Sequence, residues 1–335
     1  MEQVIGSSAK ATTGIETRWS LNAEGLLPGS EGWLRTNGGR QNHGMFQPPK
    51  SSSISQPSSH VSLQQELDSL RRERLDLHAQ LFEAAQIQRK LSGPHELRHG
   101  GLQFASEVFA ARFLSGDFTT FLQSGSKVLV AHGDIAGKGV AAGMWFTNLA
   151  GLLQSYGRPD SDPATIASEI NRHLCYLQPV APFVTAFLAR IDCDLGELTY
   201  CNAGHFPPIL LRADGHADLL ERGGPLLGAL DGAEFISGEV ILEPGDTLVA
   251  YSDGVLECRN TADEEFGLDR ILAALRCAEA PSAHATLMML LATLQDFANG
   301  SPLCDDVSLT VIHRDAKCID AELLSSLDLS GVLDS

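Results

Sequence analysis

The 335-residue sequence lacks any apolar run long enough to span a bilayer. Its longest hydrophobic stretches are helix-sized and broken by polar side chains, so no membrane partner is expected. The N-terminus has no basic segment leading into an apolar one, and no secretory signal is expected. Cysteine is scarce and scattered: Cys175, Cys193, Cys201, Cys258, Cys277, Cys304 and Cys318, with no close C-x-x-C pair. That argues against a zinc ribbon or a disulfide framework and fits a reducing, cytoplasmic setting. Each thiol reads as a small buried hydrophobe. Positive charge is also short. A net charge of −18 disfavours nucleic acid and anionic membrane surfaces as partners. It leaves phosphoproteins open, because bound metal ions reverse the local field. No phosphate loop is present, since Lys138 sits in Gly-Lys-Gly without the G-x-x-x-x-G-K-[ST] spacing.

What the sequence does hold is organised in four parts. Residues 1–60, rich in Ser, Gly, Gln and Asn, read as a disordered arm. Residues 61–95 read as a coiled-coil or regulatory helix. Leu67, Leu70, Leu77, Leu81, Ala84 and Leu91 fall at alternating a and d positions, and Arg74 and Gln88 weaken the seam. Either a dimer or packing on the chain's own next domain would satisfy that stripe. Ser92-Gly93-Pro94 ends the helix. Residues 96–315 alternate strand-like and helix-like segments, and 43% of the whole chain is hydrophobic, enough for a sizeable core. Strands are expected at Val128–His132, Phe183–Asp192, Leu198–Asn202, Pro208–Arg212, Thr247–Tyr251 and Val307–His313. Helices are expected at Gly139–Tyr156, Pro163–Leu177, Leu268–Cys277 and Ala283–Ala298. Two consecutive helices between strand groups speak against a parallel βαβ array and for an α+β sandwich. Residues 316–335 read as an acidic tail.

Four acidic elements sit beside glycine or another acid at strand ends: Gly116-Asp117, Gly133-Asp134, Ser252-Asp253-Gly254 and Asp305-Asp306. Carboxylates at the ends of adjacent strands can converge, and small neighbours let the backbone approach a ligand. Oxygen ligands gathered without His or Cys suit Mg²⁺ or Mn²⁺. Taken singly, each motif is an ordinary turn or cap; their order and spacing make the case.

Gly116-Asp117-Phe118, then Gly133-Asp134-Ile135-Ala136-Gly137-Lys138-Gly139 followed by Ala141-Ala142, resembles the first half of a bacterial phosphatase signature. Ala203-Gly204-His205-Phe206-Pro207-Pro208, Pro225-Leu226-Leu227-Gly228, Pro244-Gly245-Asp246, Tyr251–Glu257, Phe266-Gly267 and Asp305–Leu309 continue it in order. The resemblance is to the metal-dependent (type 2C) protein phosphatases, SpoIIE/RsbU-like branch, over roughly residues 80 to 314. It implies two packed antiparallel β-sheets flanked by helices and two Mn²⁺ or Mg²⁺ ions. Asp134 would bridge both ions, the Ile135 carbonyl and Asp117 would serve the second site, and Asp253 and Asp305 the first. Asp306 would orient rather than ligate. Asp134, Asp117 and Asp253 would be the catalytic set in hydrolysis of phosphoserine or phosphothreonine by a metal-activated water. The implied partner is a phosphorylated regulatory protein of the anti-sigma-factor-antagonist type, and the helix of residues 61–95 would make a homodimer. Ser115 and Thr120 depart from the branch, which usually carries Gly and Asp there; Ala136 replaces a common Ser. His205, Lys138 and Arg112 are lesser candidates, as a turn brace or proton donor, a solvated or phosphate-facing cation, and a surface or phosphate-contacting cation. Two other functions compete: a pseudophosphatase that docks a phosphoregulator without turnover, against which the presence of all four ligand positions argues, and an oxygen-ligated metal enzyme acting on nucleotides, which no phosphate-loop or adenine-pocket signal supports.

Overall fold

The computed structural model describes residues 58–158, 160–277 and 282–316. The expectations for residues 1–57 and 317–335 lie outside the described residues. The chain divides into two compact units, Met1–Gln80 and Leu81–Ser335. The boundary falls within the first helix, α1 (Ser58–Leu91). In the first unit the stripe residues Leu67, Leu70 and Leu77 are exposed.

In the second unit the elements follow in the order β1 (Glu96–His99), β2 (Leu102–Phe109), β3 (Asp117–Ser124), β4 (Lys127–Ile135), α2 (Val140–Tyr156), α3 (Pro163–Tyr176), β5 (Val184–Asp192), β6 (Glu197–Ala203), β7 (Ile209–Leu211), β8 (Ala217–Leu219), β9 (Gly223–Gly224), β10 (Gly238–Ile241), β11 (Thr247–Tyr251), α4 (Asp253–Leu256), α5 (Gly267–Arg276), α6 (Ala283–Ala298) and β12 (Val307–Arg314). One sheet has the order β1-β2-β12-β11-β7-β8 and the other β10-β6-β5-β4-β3, with β9 beside β6. All pairings are antiparallel except the short β6–β9 pair. This is the expected α+β sandwich of two antiparallel β-sheets flanked by helices.

Strand periodicity explains the layering. Along β4, Val128 and Val130 enter a core shared with Phe104 of β2, Leu248 of β11 and Ile312 of β12. The alternate residues Leu129 and Ala131 enter a second core with Phe146 of α2 and Ile170 of α3. A strand covered on both faces reads as a continuous apolar run, which is why β4 was legible. α3 begins where Asp162 caps it, its side chain accepting from the Thr165 N–H at 3.1 Å, with Pro163 in the first turn. α6 opens on Ser282, which accepts from the Ala285 N–H, and closes on Asn299 in the left-handed conformation.

β2 and β3 are strands that the apolar pattern does not announce. β3 begins Asp-Phe-Thr-Thr, and its polar residues Asp117 and Thr119 are buried. Thr119 spends its hydroxyl on the His132 ring, 2.9 Å away, and on the Thr310 hydroxyl of the other sheet at 3.0 Å. A polar residue satisfied across the sandwich looks, in sequence, like a surface residue.

β3, β4 and β5 lie close enough at Gly133 that a side chain there would run into the Thr185 carbonyl and the Phe118 ring. Gly133→Ala is therefore expected to destabilise the domain by about 1–3 kcal/mol. A urea titration should show a lower midpoint with an unchanged slope.

Candidate metal centre

The register of β3 and β4 places Asp117 directly opposite Asp134. Like charges facing each other across an antiparallel pair are unfavourable. The other sheet adds more acid at the same end of the sandwich. β11 pairs with β12 up to Tyr251 opposite Leu309. The chain therefore leaves β11 into Asp253, beside the point where Asp305 and Asp306 lead into β12. Gly254 packs against the Asp306 carbonyl with no room for a side chain. Gly116 is similarly tight, because a Cβ there would lie 2.7 Å from the Ile135 carbonyl oxygen and 2.9 Å from Asp134 Oδ1. These glycines let the backbones and carboxylates of both sheets share one small volume.

The electrostatics record that crowding. Burial, followed by Asp253, Asp305 and Asp306, pushes the Asp134 carboxyl up to about 6. Burial and then Asp134 raise Asp117 well above the usual carboxylate range, against the pull of the Ser252 and Ser308 hydroxyls. Burial and Asp305 raise Asp253. Asp117 Oδ2 is buried without a hydrogen-bond partner. Such a set fits a hard dication, which would relieve the repulsion and satisfy the orphaned oxygen. Among the described residues, no three His, Cys, Asp or Glu side chains are drawn together tightly enough to form a ready-made metal cage. One reason is visible at Asp305, whose Oδ2 is held by the Lys138 ammonium at 2.6 Å.

Asp305 and Asp306 are sharply different. Asp306 is buried and accepts from the Ala111 N–H at 2.7 Å, the Ser115 hydroxyl at 2.9 Å and the Gly116 N–H at 2.7 Å. Both its oxygens are spent on the loop that delivers Asp117. Asp305 lies at the half-exposed rim. Ser115, a departure from the branch pattern, thus supplies a hydroxyl to this clamp. Thr120 lies three residues beyond Asp117, so the pleat turns it to the opposite face of β3. The Ile135 N–H donates to the Gly116 carbonyl at 3.1 Å, tying the two acidic turns together.

Sequence reasoning missed the long-range partners. Gln88, counted as a flaw in the heptad seam, donates to the Ser115 carbonyl at 2.7 Å and accepts from the Ser115 N–H at 3.2 Å. An amide at an a position is the one signal that could have marked it. His205 is buried, shares a 2.9 Å hydrogen bond with the Thr185 hydroxyl, and its backbone N–H is held by Asn202. Burial pushes its imidazole down to about 4, so it is neutral near pH 7 and braces its turn. Arg112 is exposed and makes no ion pair among the described residues.

The crowding has a stability signature. An acid whose folded value lies above its unfolded one, about 3.9, binds its proton more tightly in the folded state. The metal-free fold therefore loses stability as pH rises from about 4 to about 6. Asp134→Asn should remove the Asp134 share of this loss, leaving that of Asp117 and Asp253, and raise metal-free stability at pH 7 by on the order of 1–3 kcal/mol. Thermal unfolding in chelator at pH 5 and pH 7 checks it.

The family model described as Stage II sporulation protein E (SpoIIE) matches residues 124–315, taking in Asp134, Asp253 and Asp305 and beginning beyond Asp117. The chain is 28% identical over 253 residues to the phosphoserine phosphatase RsbU of Bacillus subtilis (strain 168), covering 75% of this chain and 74% of that protein. It spans 36% and 40% of two further curated relatives. Among solved structures, the SiaA-PP2C domain of Pseudomonas aeruginosa superposes with a TM-score of 0.62 at 21% identity, over 72% of this chain and 99% of that domain. RsbX in complex with magnesium superposes with a TM-score of 0.51 at 16% identity, over 65% of this chain and 97% of RsbX. The chain belongs to the SpoIIE family and is similar to RsbU-like phosphatases of type 2C fold.

Proposed function

We propose that this chain hydrolyses phosphoserine or phosphothreonine on a regulatory protein, using Asp117, Asp134, Asp253, Asp305 and the Ile135 carbonyl to hold two Mg²⁺ or Mn²⁺ ions. The observation that carries the reading is the facing pair Asp117 and Asp134, joined at the same end of the sandwich by Asp253 and Asp305 from the other sheet. The magnesium bound by RsbX, a fold neighbour, supports the choice of cation. Bound there, the ions would supply Lewis-acid activation of water and charge neutralisation at the phosphoryl oxygens.

The chain's own residues do the rest. Asp134, opposite Asp117 and in the field of Asp253, would be among the residues that hold the ions. Asp306 fixes the Ala111–Gly116 loop through three hydrogen bonds and so sets where Asp117 points. With its carboxylate so engaged, Asp306 suits an orienting role and leaves the ligand role to Asp305. Phosphoryl transfer needs positioning and electrostatic stabilisation rather than a protein nucleophile. The cysteines are not needed: Cys193 and Cys201 are buried and burial holds their thiols up at about 12.

Similarity to RsbU-like phosphatases supports a phosphorylated regulator of the anti-sigma-factor-antagonist type as substrate. The exposed leucines of α1 support a homodimer formed through that helix. No described helix is long and apolar enough to cross a membrane.

The assay is hydrolysis of p-nitrophenyl phosphate and a phosphoserine peptide with Mn²⁺ or with chelator. Activity should require the metal, and Asp134→Asn should cut turnover by at least about a hundredfold. Near-normal turnover in that variant would rule out the binuclear arrangement, and a folded wild type inert with every metal would indicate a docking module. For the helix, light scattering should show a dimer for the full chain and a monomer once residues 1–80 are removed; a monomeric full chain would remove the dimer.

A further inference from the structure

Lys138 is the residue at this site that the phosphatase reading leaves without a role. Its ammonium donates to Asp305 Oδ2 at 2.6 Å and reaches the Cys304 carbonyl at 3.3 Å. The other Asp305 oxygen, Oδ1, accepts from the Asp306 backbone N–H at 2.9 Å. Both oxygens of a metal-ligand candidate are therefore occupied, one by a fixed backbone group and one by a side chain able to leave. The ammonium also lies in the field of Asp253 and Asp306, so it serves as the local counter-cation of the acids from one sheet. Lys138 stands between Gly137 and Gly139, both at positive φ, with open space where a Cβ of either would sit. The turn thus leaves room for the lysine to swing off Asp305.

We propose that Lys138 is a built-in competitor for the metal: its ammonium holds Asp305 until a divalent cation displaces it, so that Lys138 sets the metal concentration at which the site fills. This rests on the metal reading above and deepens it. The exchange is ionic; no covalent bond changes, and the lysine stays protonated when it moves into water. A lysine suits the task because its ammonium is a compact charge on a flexible stem, free of the bidentate fork that would make arginine hard to displace. Lys138 and Asp305 are 39% and 38% exposed, which keeps the pair weak enough to break. An exposed pair of this kind contributes a modest free energy, so the expected change in metal affinity is about two- to fivefold.

The test is a Mn²⁺ titration of the full-length protein without substrate, following the free-ion signal by electron paramagnetic resonance. Wild type, Lys138→Met, Lys138→Gln, Lys138→Arg and Asp134→Asn are compared, with thermal unfolding confirming that each is folded. The two neutral variants should bind Mn²⁺ about two- to fivefold more tightly than wild type. Lys138→Arg should bind no more tightly than wild type, because a cation still holds Asp305. Unchanged or weaker Mn²⁺ binding in both neutral variants would overturn the proposal while leaving the metal centre standing. The same result with a raised KM for phosphopeptide would reassign Lys138 to phosphate binding. Failure of wild type to bind Mn²⁺ more tightly than Asp134→Asn would remove the metal reading itself, and this proposal with it.

Discussion

The structure depends on one electrostatic constraint: two antiparallel sheets bring carboxylates together with too little cation between them. Asp117 and Asp134 face each other within one sheet, and Asp253 and Asp305 arrive from the other. The apolar core between the sheets sets the separation of these strand ends, because Phe104, Val130, Phe187 and Ile312 pack between them. Close packing leaves little slack, so the acids cannot move apart without disturbing the core. The fold holds the repulsion in place, and a divalent ion bound there would relieve it.

The supporting shell is neutral or already satisfied, which keeps the repulsion from being quenched elsewhere. Asp306 is consumed by three donors of the loop before β3. His132 is fully buried between the sheets and pushed well below its usual range by burial and by His205, so it contributes no positive charge. Among the described residues, the cation paired with one of these acids is Lys138, at the exposed rim. Gln88 links the last turns of α1 to Ser115, one residue from Gly116 and two from Asp117. A helix end and Asp306 are thereby joined by hydrogen bonds to the loop that leads into Asp117.

How much of this could be read from the sequence follows from the range of each interaction. β11 is recovered to the residue, because Thr247–Tyr251 is a short apolar run bounded by Gly245-Asp246 and Ser252-Asp253. α6 is recovered because Ser282 and Asn299 mark its ends locally. β3 and the short β8, β9 and β10 are not, since their polarity is satisfied by distant partners or they are too short to show a period. The acidic motifs were legible from their order, which is why the family resemblance could be drawn. The expected division of labour between Asp305 and Asp306 came from the family resemblance and not from the two residues themselves, because adjacent acids differ here in their partners: Asp306 meets the loop some 190 residues upstream, and Asp305 meets Lys138.

The crowded carboxylates repel one another in the metal-free fold, and a divalent ion bound among them would relieve that repulsion. Isothermal titration of Mn²⁺ into the full chain at pH 6, in buffers of different ionisation enthalpy, tests it most directly. The account predicts two ions bound per chain with release of protons at pH 6, drawn from Asp134, and less proton release from Asp134 at pH 8. Binding without proton release at pH 6, or no binding at all, would contradict it.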